Sequence, residues 1–287
     1  ANYPIGITIQ NNRYPSYKWI KHSVGNKQSL INDQVNSIIE DSEGDLWYGT
    51  NNGISLQDSK TGKWRSFLST FENVQNSKNH IFTTLCEVSP GIIWAGGYFS
   101  GLYQIDKRTS KTTYFTPASY AHESIRPDKY IRDIRKDSRG YVWSGGYYNL
   151  KRINVQTKDI RLYHGLHSVT AIIEKDDKSM WIGTATGLFL LDIESGKYER
   201  IQLPVESTYV YSLYQTKQGS LYIGTSGSGV LIYDPQTKLF THYYTGNCAM
   251  ISNNIYTILS DEDNEILLST ENGLTSFYPC LLYTSDA

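Results

Sequence analysis

The sequence predicts an all-β chain of repeated four-stranded antiparallel blades, a β-propeller, on three observations. A five-residue core with a large apolar second position recurs six times. The copies stand 47, 49, 38, 41 and 45 residues apart, matching the roughly 40–50 residue period of one blade. Each copy also carries the same order of strand and turn signals, with no competing 3.6-residue periodicity.

The core reads LWYGT at Leu46–Thr50, IWAGG at Ile93–Gly97, VWSGG at Val142–Gly146, MWIGT at Met180–Thr184, LYIGT at Leu221–Thr225 and ILLST at Ile266–Thr270. Its anchors are Trp47, Trp94, Trp143, Trp181 and Tyr222, with Leu267 in the last copy. A first strand precedes the core, as in VNSIIED from Val35, IRDIRKD from Ile131, VTAIIEK from Val169 and IYTILSD from Ile255. A tight turn joins the two, with Gly44, Gly140 or Gly219 supplying positive φ. A third strand follows (GISLQD, GLYQID, GLFLLD, GVLIYD), then a turn on Asp58, Asp106, Asn154, Asp192 or Asp234. Such a side chain bonds its own backbone two residues on. WRSFL, TTYF, IRLY, YERI and FTHYY supply the fourth strand.

The repeated aromatic has a structural reason. Blade sheets stack face to face, and a large flat side chain fills the gap, contributing several kcal/mol at ~25 cal/mol per Å² over ~150–250 Å². The four tryptophans are therefore core rather than a ligand platform. The glycine after them suits a crowded strand end where backbones approach closely.

Charge and motifs exclude several classes. With 27 Lys+Arg against 28 Asp+Glu the net charge is −1, which is no footprint for nucleic acid or an anionic membrane. No apolar stretch is long enough to span a bilayer. Cys86, Cys248 and Cys280 have no paired spacing, so neither a disulfide framework nor zinc is implied. His164 and His167 form HGLH in a loop, two candidates without the further ligands zinc needs. The glycine-rich GTSGSG at Gly224–Gly229 opens no helix and so is no phosphate cradle. Asp176 and Asp177 sit at a hairpin turn, and DEDNE at Asp261–Glu265 lacks calcium-loop spacing. No catalytic residue, metal or cofactor is expected.

The informative departures are in copies two and three. Tyr98-Phe99-Ser100 and Tyr147-Tyr148-Asn149 stand where copy one has NNG. The segments leading into these blades, Ser69–His80 and Thr116–Lys129, are also the longest. The second carries His122, Arg126 and Lys129, with Tyr130 next. Loops on one face of a repeat array commonly carry its function. The expected ligand site is therefore Tyr98, Phe99, Tyr147, Tyr148, Arg126, Lys129 and Tyr130, suited to a carbohydrate or another polar ring. Packing against a partner domain is the competing explanation.

The expected layout is a single propeller fragment over residues 1–279. It holds the outer strands of one blade (1–22), five full blades (about 31–245) and a partial sixth (about 251–279). Gly6–Gln10 and Tyr17–Ile20 align with Gly53–Gln57 and Trp64–Phe67, so the complete ring is expected to have seven blades. Residues 280–287, CLLYTSDA, fit no repeat and resemble a translated sequencing adapter, a non-native tail.

The run NDQVNSIIEDSEGDLWYGTNNGI from Asn32, and its relative SVTAIIEKDDKSMWIGTATGLFLLD from Ser168, resemble the two-component regulator propeller repeat. Gly-Gly replaces Gly-Thr in copies two and three, and copy six has lost both aromatic and glycine. The streptogramin-lyase-like propellers have a related repeat. The resemblance implies a periplasmic ligand-sensing domain of a membrane-anchored histidine kinase, Bacteroidetes-like and sensing an oligosaccharide. It also implies a neighbouring propeller or β-sandwich in the same protein, a homodimer at full length, and no nucleic-acid or direct membrane contact. The kinase lies outside these residues. A purely structural or dimerising propeller and a lyase-like enzyme are the alternatives.

Overall fold

The computed structural model describes residues 7–11, 14–69, 80–115, 129–261 and 264–279, with side chains from Trp19 onward. Every regular element is a strand, so no helix among the described residues is long and apolar enough to cross a membrane. Two compact units divide the chain, residues 1–169 and 170–287.

The first unit opens with a hairpin of β1 (Ile7–Asn11) and β2 (Tyr14–Ile20), pairing Ile7 with Ile20 and Thr8 with Trp19. Blade one is β3 (Val35–Glu40), β4 (Leu46–Thr50), β5 (Gly53–Gln57) and β6 (Trp64–Phe67). Blade two is β7 (Ile81–Ser89), β8 (Ile92–Tyr98), β9 (Gly101–Asp106) and β10 (Thr112–Tyr114). Blade three is β11 (Ile131–Lys136), β12 (Val142–Gly146), β13 (Leu150–Ile153) and β14 (Ile160–Tyr163). In each sheet the strands lie in chain order, every one antiparallel to its chain neighbour.

The second unit repeats the plan. Blade four is β15 (Val169–Asp176), β16 (Ser179–Thr184), β17 (Gly187–Asp192) and β18 (Tyr198–Ile201). Blade five is β19 (Val210–Gln215), β20 (Leu221–Thr225), β21 (Val230–Asp234) and β22 (Leu239–Tyr243). Blade six has three strands among the described residues, β23 (Ile255–Ser260), β24 (Ile266–Thr270) and β25 (Gly273–Phe277). Among the described residues there are thus five four-stranded blade sheets, one three-stranded sheet and the β1–β2 hairpin, and the tail 280–287 lies outside the described residues.

Within each unit the anchor aromatics Trp47, Trp94, Trp181 and Tyr222 are buried against the following blade. Trp47, with Phe67, packs on Phe82, Leu85 and Ile93 of blade two, and Trp94, with Phe115, packs on Ile131, Ile134 and Val142 of blade three. In the second unit Trp181 meets Val210, Leu213 and Leu231, and Tyr222 meets Ile255, Ile258 and Leu268. All four tryptophans are at most 2% exposed, as core residues rather than platforms must be. Leu267 is a correction: it is 36% exposed, while its neighbours Ile266 and Leu268 carry the apolar packing of β24. Strand alternation explains this, because Leu267 points to the opposite face from Ile266 and Leu268.

The turns follow the predicted chemistry. Gly44, Gly140 and Gly219 have φ of 86°, 84° and 97°. Asp58, Asp106, Asn154 and Asp234 accept from the N–H two residues on, at 3.1, 2.9, 2.9 and 2.8 Å. Asp192 instead accepts from Ser195 N, three residues on, at 2.7 Å. The core-strand glycine is sterically required where blades close up: a Cβ on Gly97 would lie 1.7 Å from the Ile81 carbonyl oxygen.

Candidate functional site

The loop between β8 and β9 and the loop between β12 and β13 belong to neighbouring blades and emerge at the same strand ends. Tyr98 ends β8 and forms an isolated antiparallel bridge with Tyr130, the residue before β11. Tyr130 in turn accepts from the Tyr147 N–H through its carbonyl, at 3.2 Å. Tyr130 is therefore the backbone hinge that fixes both loops side by side.

The rings follow the backbone. Tyr98 meets Phe99 at 4.7 Å and Tyr130 at 4.8 Å between centroids, both edge to face. Phe99 lies 4.5 Å from Tyr130, Tyr130 lies 6.1 Å from Tyr147, and Tyr147 meets Tyr148 edge-on at 5.0 Å. Five of the seven expected site residues thus form one continuous patch. It remains open: Tyr98 is 47%, Phe99 43%, Tyr147 59% and Tyr148 48% exposed. Large aromatics gathered on a surface without cover mark contact sites. Lys129 is exposed beside Tyr130 in the chain. Arg126 lies outside the described residues, as do most of the two long lead-in segments.

Strain and hydrogen bonds hold this arrangement. Phe99 has φ of 61°, a left-handed conformation that costs a non-glycine residue of order 1–3 kcal/mol and gathers at functional sites. Ser100 Oγ, buried beneath it, donates to the Ile81 carbonyl at 3.0 Å. On the neighbouring loop the His167 ring nitrogen Nδ1 bonds the Tyr148 carbonyl, and Ser168 N donates to the Tyr147 carbonyl at 3.1 Å. His167 is thus a loop fastener; the sequence showed only a loop histidine. Partial burial, then the neighbouring Tyr98, Tyr148 and Tyr147 phenols, hold the Tyr130 hydroxyl above its ordinary pKa, so Tyr130 remains a hydrogen-bond donor at neutral pH.

A second built feature lies at the opposite hairpin ends of blades one and two. Lys107 Nζ, 6% exposed at its side chain, meets Asp41 Oδ2 at 2.5 Å, Glu43 Oε2 at 2.7 Å and Asp45 Oδ2 at 2.8 Å. Asp41 also receives the Trp47 indole N–H at 2.8 Å, and Asp137 receives that of Trp143 at 2.9 Å. These acids stand six residues ahead of their tryptophans, a spacing visible in the sequence and easily taken for turn chemistry alone. The cluster ties the sheets of blades one and two together. Among the described residues no group of His, Cys, Asp or Glu is arranged to hold a metal ion.

The family description "Two component regulator propeller" matches residues 29–52 and 204–227. The histidine kinase P4 of Formosa agariphila is 25% identical over 265 residues, which is 85% of this chain and 19% of that protein. Among solved structures, the extracellular domain of a one-component system from B. thetaiotaomicron superposes with a TM-score of 0.70 at 20% identity, covering 89% of this chain and 34% of that one. Virginiamycin B lyase from Staphylococcus aureus superposes with a TM-score of 0.66 at 15% identity, over 86% and 85% of the two chains. These structural likenesses establish the propeller fold, and the chain spans only about a fifth of its kinase relative. The matched segments contain the Leu46–Thr50 and Leu221–Thr225 cores, so the family description matches the same repeat that the sequence shows at those two copies.

Proposed function

We propose that this propeller is the extracytoplasmic, periplasmic sensor region of a two-component signalling protein. It binds an oligosaccharide or a similar polar ring on the Tyr98–Phe99–Tyr130–Tyr147–Tyr148 patch and passes the signal to a histidine kinase elsewhere in the protein. The observation that carries this reading is the continuous run of five rings contributed by two adjacent blades, four exposed around a half-buried Tyr130. The repeat match and the extracellular signalling domains among its structural relatives support the setting. In this reading the chain itself performs no catalysis. Lys129 supplies a cationic donor to hydroxyls or a carboxylate beside the rings, and Arg126 is assigned the same role from the sequence alone. The β1–β2 hairpin serves as the outer half of a further blade, in a ring of seven. Sensor affinity rests on a few such anchors rather than on area.

The test is calorimetric titration of a panel of neutral and acidic oligosaccharides into the wild-type chain and into the Tyr98→Ala/Tyr147→Ala double variant. The expected result is at least a tenfold loss of affinity for the cognate sugar, about 1.4 kcal/mol, with melting nearly unchanged. A double variant that loses stability and keeps its affinity would assign the patch to packing against a neighbouring domain.

A further inference from the structure

Blades five and six present a second aromatic group with the opposite charge character. The first strands share a bulge just after their start, at Asn36, Thr83, Arg132, Tyr211 and Tyr256. In blades one and two the bulge side chain is a link between sheets. Asn36 Nδ2 donates to the Phe82 carbonyl at 3.1 Å, and Thr83 Oγ1 donates to the Ile131 carbonyl at 2.7 Å. Thr170, second in β15, makes the same bond to Val210 at 2.5 Å. In blades five and six tyrosine replaces this small linker.

The consequence is a three-ring group. Tyr211 lies 4.8 Å from Tyr209, with planes inclined 49°, and 5.3 Å from Tyr256, inclined 71°. Tyr256 is 43% exposed. Mutually inclined rings offer their faces from more than one direction to a compact cation. The loops at this end, residues 202–212, 224–229, 244–257 and 270–274, contain Glu206 and Glu271 and no lysine or arginine. Asn254 Nδ2 holds the Glu271 carboxylate at 2.8 Å. Arg200 of blade four is turned onto the Thr186 carbonyl at 2.7 Å. Partial burial, then the Tyr211 phenol and the Glu271 charge, hold the Tyr256 hydroxyl above its ordinary pKa, so the carboxylate is felt at the rings.

We propose that Tyr209, Tyr211 and Tyr256, with Glu271, form a binding site for an organic ammonium cation, of which a quaternary ammonium is the best-fitting kind. Ring faces attract such a cation through their quadrupoles, and a nearby carboxylate adds a net charge that a neutral ligand cannot use. This site is separate from the aromatic patch of blades two and three, whose flanking residues are cationic, and it stands whether or not that patch binds a sugar.

The test is titration of choline chloride at fixed ionic strength, followed by calorimetry and by tyrosine ring resonances. The uncharged carbon isostere dimethylbutanol and a neutral oligosaccharide serve as comparison ligands. Choline is expected to bind in the millimolar range or tighter, and the isostere at least about tenfold more weakly, the size of a desolvated cation–π gain. Glu271→Gln, at an exposed side chain, and Tyr256→Leu should each weaken choline at least about fivefold. Tyr98→Ala should leave it unchanged. Four results overturn the proposal: no choline binding at ~20 mM, equal binding of the isostere, choline affinity unmoved by Glu271→Gln, or a larger response of the Tyr256 ring to the oligosaccharide than to choline.

Discussion

The Trp47 indole N–H and the Lys107 ammonium converge on one oxygen, Asp41 Oδ2, at 2.8 and 2.5 Å. A single carboxylate therefore ties the anchor of blade one to the β9–β10 turn of blade two. Both Asp41 and Lys107 are nearly buried, so each partner depends on the other for its solvation. Asp41→Ala is expected to lower unfolding free energy by about 3–5 kcal/mol, the loss typical when one member of a buried pair is removed. Urea denaturation checks this. A loss below ~1 kcal/mol would place the cluster with surface ion pairs.

The same cluster makes stability depend on acid. Burial raises the Asp41 pKa, but hydrogen bonds from Lys107, Trp47 and the Asp45 and Glu43 backbone outweigh it and hold the carboxyl below its ordinary 3.8. A depressed folded value means the contribution is complete above pH 3.8 and is lost as pH falls through the folded value. The wild-type urea midpoint should therefore drop between pH 5 and pH 3 by more than that of Asp41→Asn. Parallel pH profiles for the two proteins would contradict this.

Trp143 and Trp94 occupy the same place in successive blades but differ in one bond. Trp143 donates to Asp137, while the Trp94 indole nitrogen has no hydrogen-bond partner among the described residues. Trp143→Phe leaves a buried acceptor short of a donor and Trp94→Phe does not. The first is expected to cost about 1–3 kcal/mol more than the second, by denaturant titration of both. Equal costs would show that Arg152, whose Nε is 3.8 Å from Asp137 Oδ2, satisfies the carboxylate on its own.

Phe99→Gly separates strain from binding. Glycine relieves the left-handed φ of 61° and should leave the melting temperature unchanged or higher, by the equivalent of about 1 kcal/mol. It also deletes the ring that touches Tyr98 and Tyr130. Affinity for the cognate ligand should fall about tenfold. A variant with full affinity would free Phe99 from the site.

Gly97→Ala should act through the sheet. The added methyl meets the Ile81 carbonyl oxygen, so β7 and β8 must part next to Tyr98. A loss of at least about 1–3 kcal/mol is expected, as for overpacking of a close-packed site, read from the thermal midpoint.

Strand positions were legible because each core strand carries its own aromatic and its own glycine, and these recur in phase. The Tyr98–Tyr148 patch was legible for a related reason, as two neighbouring copies break the pattern at one loop. Tyr211 and Tyr256 were not legible, because a tyrosine in a strand reads as ordinary β composition until the bulge turns it out of the ladder. The Lys107 cluster links positions 66 residues apart, a distance over which local patterns are silent. Leu267 followed the alignment but not the packing, since position in a repeat does not fix which face of a strand has a neighbour.

Every strand in these sheets pairs with the strand just before or after it in the chain. Loop closure within a sheet is therefore short and its entropic cost low. A sheet can assemble as soon as its own stretch of some forty residues has left the ribosome, before the rest of the chain exists. The same locality confines the effect of change in a gene. The β8–β9 loop can be redrawn, or a whole blade duplicated, without altering any other blade's hydrogen-bond ladder, so new recognition surfaces can arise one repeat at a time on an unchanged frame.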